Sequence, residues 1–315
     1  MPYLFFAPIM RNVEIEIFPI SASEPDHAEI RKWLDHVGAT TYEWPQEGAD
    51  LTGAEAVIGL AAKRCYLSFE PGLNPNVTRV RSDWSSYFEN ILKSGHGSVM
   101  EHAVYTFAIE GISRVFTGEM NRHRAGVGIS EGSMRYIRYT DIPWWIPSSM
   151  RLTADEKTLV DEFGGTALNV FIALGGGLDR KATDPEKEVL KIAWKKLETQ
   201  ETFQRHYSQT EVNYARLQEI WSDELDPKSN FHGKKQVTSM VRRIIPMGVA
   251  TGGVWTMNMR AVRHILALRA SDAAEEEIAW VFSKIGKYMV EREPRLLCDF
   301  SQTPEGYWVP KYPKV

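Results

Sequence analysis

Ten arginines crowd into two short stretches of this chain, and neither stretch contains a lysine. Residues 114–138 hold Arg114, Arg122, Arg124, Arg135 and Arg138 against Glu119 and Glu131, a net +3. Residues 241–270 hold Arg242, Arg243, Arg260, Arg263 and Arg269 with no acid, a net +5. The formal charge of the whole chain is −4, so the remaining residues carry −12. A buried guanidinium needs a partner, so any fold must give these groups solvent, a carboxylate or a ligand. Arginine also presents a rigid fork that matches phosphate and carboxylate, and it stacks on planar rings. The residues alone leave two readings open: a set of surface ion pairs, or a site for planar phosphorylated molecules such as nucleotides or flavins.

The rest of the composition narrows the class. The chain has 315 residues, 43% hydrophobic and 25% charged, which is the balance of an ordinary soluble globule. A charge of −4 is too mild for an acidic-tail protein or a general nucleic-acid coat. Two cysteines, Cys65 and Cys298, cannot build a disulfide framework or a Cys-rich zinc site, and they fit a reducing, cytoplasmic setting. Both lie in apolar contexts and are expected in the core rather than as nucleophiles. The stretch Met1–Pro8 is apolar but short and lacks a basic region, so no targeting signal is expected. No apolar run approaches the length of a membrane span. With no repeat, low-complexity tract or linker, the expectation is one domain, residues 1–315, carrying a mostly helical insertion at about 140–240.

Hydrophobic periodicity places the elements. Residues 13–20 and 103–109 alternate as strands. Helices are expected over 54–67, 84–93 and 113–123, then 153–174 and 185–221, and finally 248–268 and 273–291. The turn Thr183-Asp184-Pro185 separates the two middle stretches. Glycines and serines mark 125–133 as a loop, residues 21–53 as irregular or short helix (with Pro25, Pro45 and Gly48), and 226–235 as a polar loop. Trp144-Trp145 is read as core, with a shelf for a flat ring as the alternative.

The first arginine stretch carries the sharper signal. Arg122-His123-Arg124 is followed by Gly126-Val127-Gly128 and then Glu131-Gly132-Ser133-Met134-Arg135-Tyr136. A Gly-rich segment exposes backbone N–H groups that can receive phosphate oxygens. This run resembles the signature of flavin-dependent thymidylate synthases: Arg-His-Arg, a spacer, then Glu/Gln-x-Ser-x-Arg-Tyr. Gly95-His96-Gly97-Ser98-Val99-Met100-Glu101-His102 resembles that family's Gly-His-x-Ser/Thr-x-x-Glu-His stretch. Gly111-Ile112-Ser113-Arg114 and Glu119 also fit. So do Arg242, four before Pro246, and Asn258 through Ser271. The likeness spans about 54–140 and 240–300.

The resemblance implies an α+β subunit, with a central sheet flanked by helices, assembled as a homotetramer with active sites shared between subunits. It implies reductive methylation of dUMP to dTMP. Methylenetetrahydrofolate supplies the carbon, FAD carries the hydride, NADPH is the reductant, and no enzyme cysteine takes part. It carries FAD contacts onto Ser98, Arg122, His123, Arg124, Glu131, Asn258, Arg260 and His264. Nucleotide contacts fall on Glu119, Arg122, Glu131, Gly132, Ser133, Met134, Arg135, Arg242 and Arg269. Arg269 has the catalytic part, stabilising negative charge on the uracil so that C5 becomes nucleophilic. Arg260 and Arg269 are nine residues apart and would face opposite ways on one helix; shared sites, or an early end to the helix, would reconcile them.

Three features depart from the family pattern. Six residues, Ala125–Ser130, separate Arg124 from Glu131 where five are usual; Ala273 stands where many members have His; and 140–240 is longer than usual. The altered spacer leaves a different pyrimidine nucleotide as an alternative acceptor. A nucleic-acid-binding protein ranks far lower, because the arginine stretches lack interleaved exposed aromatics. His96 and His102 are six apart, not the helical spacing of a metal pair, so no metal is expected.

Overall fold

The computed structural model describes residues 11–44, 50–81, 83–139, 141–178 and 180–314. The readings placed on Met1–Pro8, Pro45 and Gly48 lie outside these residues. In chain order the elements begin β1 Glu16–Ala22, α1 His27–His36, α2 Gly53–Tyr66, α3 Trp84–Lys93, β2 Val104–Ser113, α4 Arg114–Met120 and β3 Val127–Glu131. Then come α5 Ala154–Glu162, α6 Ala167–Leu174, α7 Asp184–Ile220, α8 Ser222–Leu225 and α9 Phe231–Val241. The chain closes with β4 Ala250–Asn258, α10 Met259–Arg269, α11 Glu276–Arg292, β5 Phe300–Gln302 and β6 Trp308–Pro310. Two compact units result. A sheet unit comprises residues 15–110, 116–131 and 252–315; a helical unit comprises 1–14, 111–115 and 132–251.

The sheet unit bears out the mixing of helix and strand. Its four strands run in the order β1-β2-β4-β3, with β1·β2 and β3·β4 antiparallel. The alternation of β2 buries Tyr105, Phe107 and Ile109 on one face. β1 is an edge strand, and its register slips between Pro19 and Ser21, where proline cannot donate to the ladder. Aromatic contacts fill the core: Phe116 packs edge-on to Trp255 at 5.9 Å and parallel to Phe282 at 6.5 Å.

Two expectations fail here for one reason. Residues 125–133, read as a loop, contain β3, and the helix expected from 248 begins only at Met259. Gly128 pairs with Thr256 in the β3·β4 ladder, and Gly253, within the expected helix, sits where the two backbones approach closely. A Cβ on Gly253 would lie 2.6 Å from the Ser130 carbonyl oxygen across the β3·β4 ladder. Val254-Trp255-Thr256 has the β-branched and aromatic character of a strand.

The helical unit confirms helix over most of the expected stretches but redraws their ends. Gly164 and Gly165 take left-handed φ of 92° and 74° and divide the helix expected over 153–174 into α5 and α6. Thr183 and Glu186 form a capping box, so the expected turn at Thr183–Pro185 is the first turn of the 37-residue α7. The polar loop expected over 226–235 ends in α9, capped by Asn230. Val160, Phe163, Val170 and Leu190 make one core; Ile142, Trp144, Tyr207 and Val249 make another. Trp144 and Trp145 are each 5% exposed, in agreement with the core reading. The cysteines correct their expectation: Cys65 and Cys298 are both exposed, and the buried positions beside them are Ala62 and Lys63 in the one case and Leu296 and Leu297 in the other. Among the described residues, no helix is long and apolar enough to cross a membrane.

Two buried charges hold the sheet unit together. The Arg263 guanidinium, 3% exposed, meets both oxygens of Asp299 at 2.7 and 3.0 Å and the Leu296 carbonyl at 2.8 Å. Removing one partner of such a pair strands the other charge. Asp299→Ala should therefore cost about 3–5 kcal/mol in urea unfolding, whereas Glu198→Ala, which removes an exposed partner of Arg205, should cost under about 1 kcal/mol. Glu293 is fully buried and accepts from the Thr52 hydroxyl at the start of α2. Burial raises its carboxyl to about 7. Because the folded value is raised, the associated stability is full below the ordinary carboxylate range and is lost as pH rises through 7. Glu293→Gln should thus gain melting temperature relative to the parent between about pH 5 and about pH 8; a constant difference would contradict this.

Candidate functional site

The sheet unit gathers four of the expected residues around the guanidinium of a fifth, Arg269. Arg269 is the last residue of α10, where a cation suits the helix dipole. Its Nη1 donates to Glu119 Oε2 at 2.7 Å and its Nε donates to His123 Nε2 at 2.9 Å. Glu119 comes from α4, and its other oxygen lies 3.8 Å from Arg122 Nη1. The His264 ring stands edge-on to His123 at 5.9 Å. An arginine Nε–H only donates, so His123 Nε2 is the unprotonated nitrogen and the neutral ring carries its proton on Nδ1. Burial first, and then the charge of Arg269, lower the His123 pKa below the ordinary imidazole value.

The start of α10 positions the second group. Asn258 caps the helix, its Oδ1 accepting from Ala261 N at 2.8 Å. Gly126, at φ 70°, lies against that side chain, and a Cβ there would come within 2.5 Å of Asn258 Nδ2. Arg260 is exposed and pairs with Glu101 at 2.5 Å. The nine-residue puzzle resolves within one helix: Arg260 and Arg269 both belong to α10 and serve different carboxylates. Asn121 Nδ2 donates to Glu131 Oε2 at 3.2 Å. Arg124 and Ser98 are exposed, and Ser98 lies on the rim of a cavity of about 440 Å³.

The remaining expected residues belong to the helical unit. The Gly132 carbonyl accepts from Arg114. Ser133 closes a turn, its carbonyl accepting from Tyr136 and Ile137 N at 2.9 and 3.0 Å. Met134 packs against the Trp144 core. Arg135 Nε donates to Ser239 Oγ at 3.3 Å, and Thr238 Oγ1 donates to the Arg135 carbonyl at 2.7 Å. That places Arg135 beside the last turn of α9, which ends just before Arg242.

Sequence reasoning missed three polar groups. Glu101 appeared only as a motif letter, yet it pairs with Arg260. Asn121 holds Glu131. Lys63, inside the alanine-rich α2, is buried and lines the cavity with Arg79 and Arg81. The Arg79-Val80-Arg81 alternation was the available signal for that last group. Among the described residues, no three His, Cys, Asp or Glu side chains converge as a metal-ligand set.

The Arg269–His123 bond has a readable consequence. Titrated by NMR, His123 should stay neutral below the ordinary imidazole range in the parent, and Arg269→Ala should move its midpoint upward by removing a positive neighbour. An unchanged midpoint would break the link.

Known proteins match most of the length of this chain. Residues 49–295 match the family described as thymidylate synthase complementing protein. The flavin-dependent thymidylate synthase of Mycobacterium tuberculosis strain H37Rv is 27% identical over 254 residues, 81% of this chain and 82% of that protein. The flavin-dependent thymidylate synthase of Mycobacteroides abscessus is 28% identical over 276 residues, 88% and 90% of the two chains. In fold, the chain is similar to the UMP/dUMP methylase PolB from Streptomyces cacaoi bound with 5-Br dUMP, at a TM-score of 0.52 and 17% identity, covering 91% of this chain and 95% of that one. With most of its length matched, including both arginine stretches, the chain belongs to the thymidylate synthase complementing protein family.

Proposed function

We propose that this chain is a flavin-dependent thymidylate synthase that methylates dUMP reductively to dTMP, with 5,10-methylenetetrahydrofolate as carbon donor and NADPH as reductant. The observation that carries the reading is Arg269, fixed at the end of α10 between Glu119 and His123. A guanidinium has five N–H groups, so a uracil oxygen can still be met. A cation held there favours negative charge on the ring and makes its C5 a nucleophile, with no thiolate needed. Glu119, Arg122, Glu131, Ser133, Arg135 and Arg242 are assigned to the nucleotide, with Gly132 and Met134 contributing backbone.

The donor set suits FAD. Arg122, Arg124 and Arg260 are exposed guanidiniums able to meet its phosphates, and Gly126 leaves room beside Asn258. Ser98, His123, Glu131 and His264 complete the set. When bound, FAD supplies the hydride, drawn from NADPH. The chain acts as one catalytic domain, 1–315, in a cytoplasmic homotetramer whose active sites are shared between subunits; the 140–240 insertion extends it.

A second acceptor is favoured by a specific observation. The six-residue spacer Ala125–Ser130 is one longer than the family pattern and forms most of β3, next to the proposed nucleotide set. UMP is the natural comparison.

The purified protein should be yellow and should release tritium from 5-tritiated dUMP when given NADPH and methylenetetrahydrofolate. Faster release from 5-tritiated UMP would transfer the reading to the ribonucleotide. Arg269→Ala should keep its flavin but lose about 100-fold or more in turnover; full activity would remove Arg269 from the chemistry. Arg124→Ala should elute from gel filtration with less visible absorbance than the parent.

A further inference from the structure

In the helical unit, two aromatic rings stand together at the surface. Phe231, the first residue of α9, is 66% exposed, and Tyr136 is 55% exposed. The rings stack nearly parallel, 11° apart, with their centres 6.0 Å from each other. Tyr136 therefore takes one face of Phe231, and at this exposure the other face is open to solvent. An exposed aromatic face of this kind holds planar bases, because every base has a π-face to lay against it.

Positive charge lies beside this platform. Lys235 is one helical turn after Phe231, and its ammonium is 5.6 Å from the Tyr136 ring centre. The ring meets its charge and leaves its three N–H donors for an anion. Ser239 follows at the next turn, and Arg243, just past the end of α9, donates from Nη1 to the Ser239 carbonyl at 2.7 Å. Residues 228–243 contain Lys228, Lys234, Lys235, Arg242 and Arg243 and no acid; the acids Asp223, Glu224 and Asp226 precede them. Neither Lys235 nor Arg243 forms an ion pair with a described carboxylate. A single-stranded nucleic acid is held by a succession of aromatics along its backbone. One open ring face with a cation a turn away suits one base and one phosphate.

The proposed reaction uses a ligand of that form. The adenosine half of NADPH is a flat base carrying a 2′-phosphate, which NADH lacks. FAD also carries an adenosine, but the guanidiniums assigned to its phosphates, Arg122, Arg124 and Arg260, all belong to the sheet unit. Arg135, assigned to dUMP, bonds Ser239 farther along α9. We infer that the Phe231–Tyr136 platform stacks the adenine of NADPH and that Lys235 binds its 2′-phosphate. This rests on the proposed function; it assigns a site to the reductant and makes Lys235 the residue that prefers NADPH to NADH.

Calorimetric binding of adenosine 2′,5′-bisphosphate and of AMP to the full chain loaded with FAD tests it. The bisphosphate should bind at least about tenfold more tightly, the effect of one charged hydrogen-bonded contact. In Lys235→Met the two should bind within about twofold of each other, and in anaerobic flavin reduction KM should rise for NADPH but not for NADH. Phe231→Ala should weaken both nucleotides by about tenfold, and Phe231→Trp should restore them. Equal affinity in the parent, or an undiminished bisphosphate advantage in Lys235→Met, would overturn the inference. So would loss of visible flavin absorbance in Phe231→Ala, which would give the platform to the FAD adenine. Salt-sensitive binding of oligo(dU) that the bisphosphate does not displace would overturn it in favour of a nucleic acid. The proposed function fails separately: no tritium release from 5-tritiated dUMP, with the bisphosphate advantage intact, would sink the reaction and not the adenosine site.

Discussion

The guanidinium of Arg269 is the point on which the site depends. It closes α10, and its two bonds draw α4, through Glu119, and the residue after the α4 turn, His123, to one place. A cation with no partner would be costly at that depth, and a carboxylate with no cation equally so. The pairing therefore keeps a charged group available in a half-buried position. It also fixes the His123 tautomer, because arginine can only donate. The positive charge is thus oriented by the protein before any ligand arrives, the condition under which electrostatic stabilisation of developing charge is most effective.

The ten arginines divide by depth. Arg263, on the same helix as Arg260 and Arg269, is buried and spends its fork on Asp299. Arg260 faces outward to Glu101, and Arg269 sits at the helix end with Glu119. One helix thus carries a structural ion pair, an exposed anion-binding group and the proposed catalytic cation. Their separation follows from helical spacing and from where α10 stops. Its start is set as firmly, by the Asn258 cap against Gly126.

Much of this was legible in the residues. The alternation of β2 and the bounds of α3 followed from periodicity, and the linked motifs pointed to the family that residues 49–295 match. What escaped shares a physical cause. Gly126 and Gly128 look like loop punctuation, and Gly252 and Gly253 fall within a stretch that reads as helix, yet Gly128 and Gly253 lie in a ladder where β3 and β4 approach closely. A glycine in a strand is invisible to pattern reasoning until its neighbour across the sheet is known. The pairings Arg260–Glu101 and Arg263–Asp299 span 159 and 36 residues, and no local spacing encodes them. Lys63 escaped for a similar reason, since its aromatic surroundings come from two separate segments, Tyr42 and the α3 pair Trp84 and Tyr87.

The central claim is that the two arginine stretches together serve a flavin and a uracil nucleotide. The most direct measurement is the visible spectrum of the purified protein during titration with dUMP. The account predicts a flavin band that shifts saturably as dUMP binds, with Arg269→Ala keeping the band but losing the shift. A colourless protein that cannot be loaded with FAD, or a flavin band indifferent to dUMP, would contradict it.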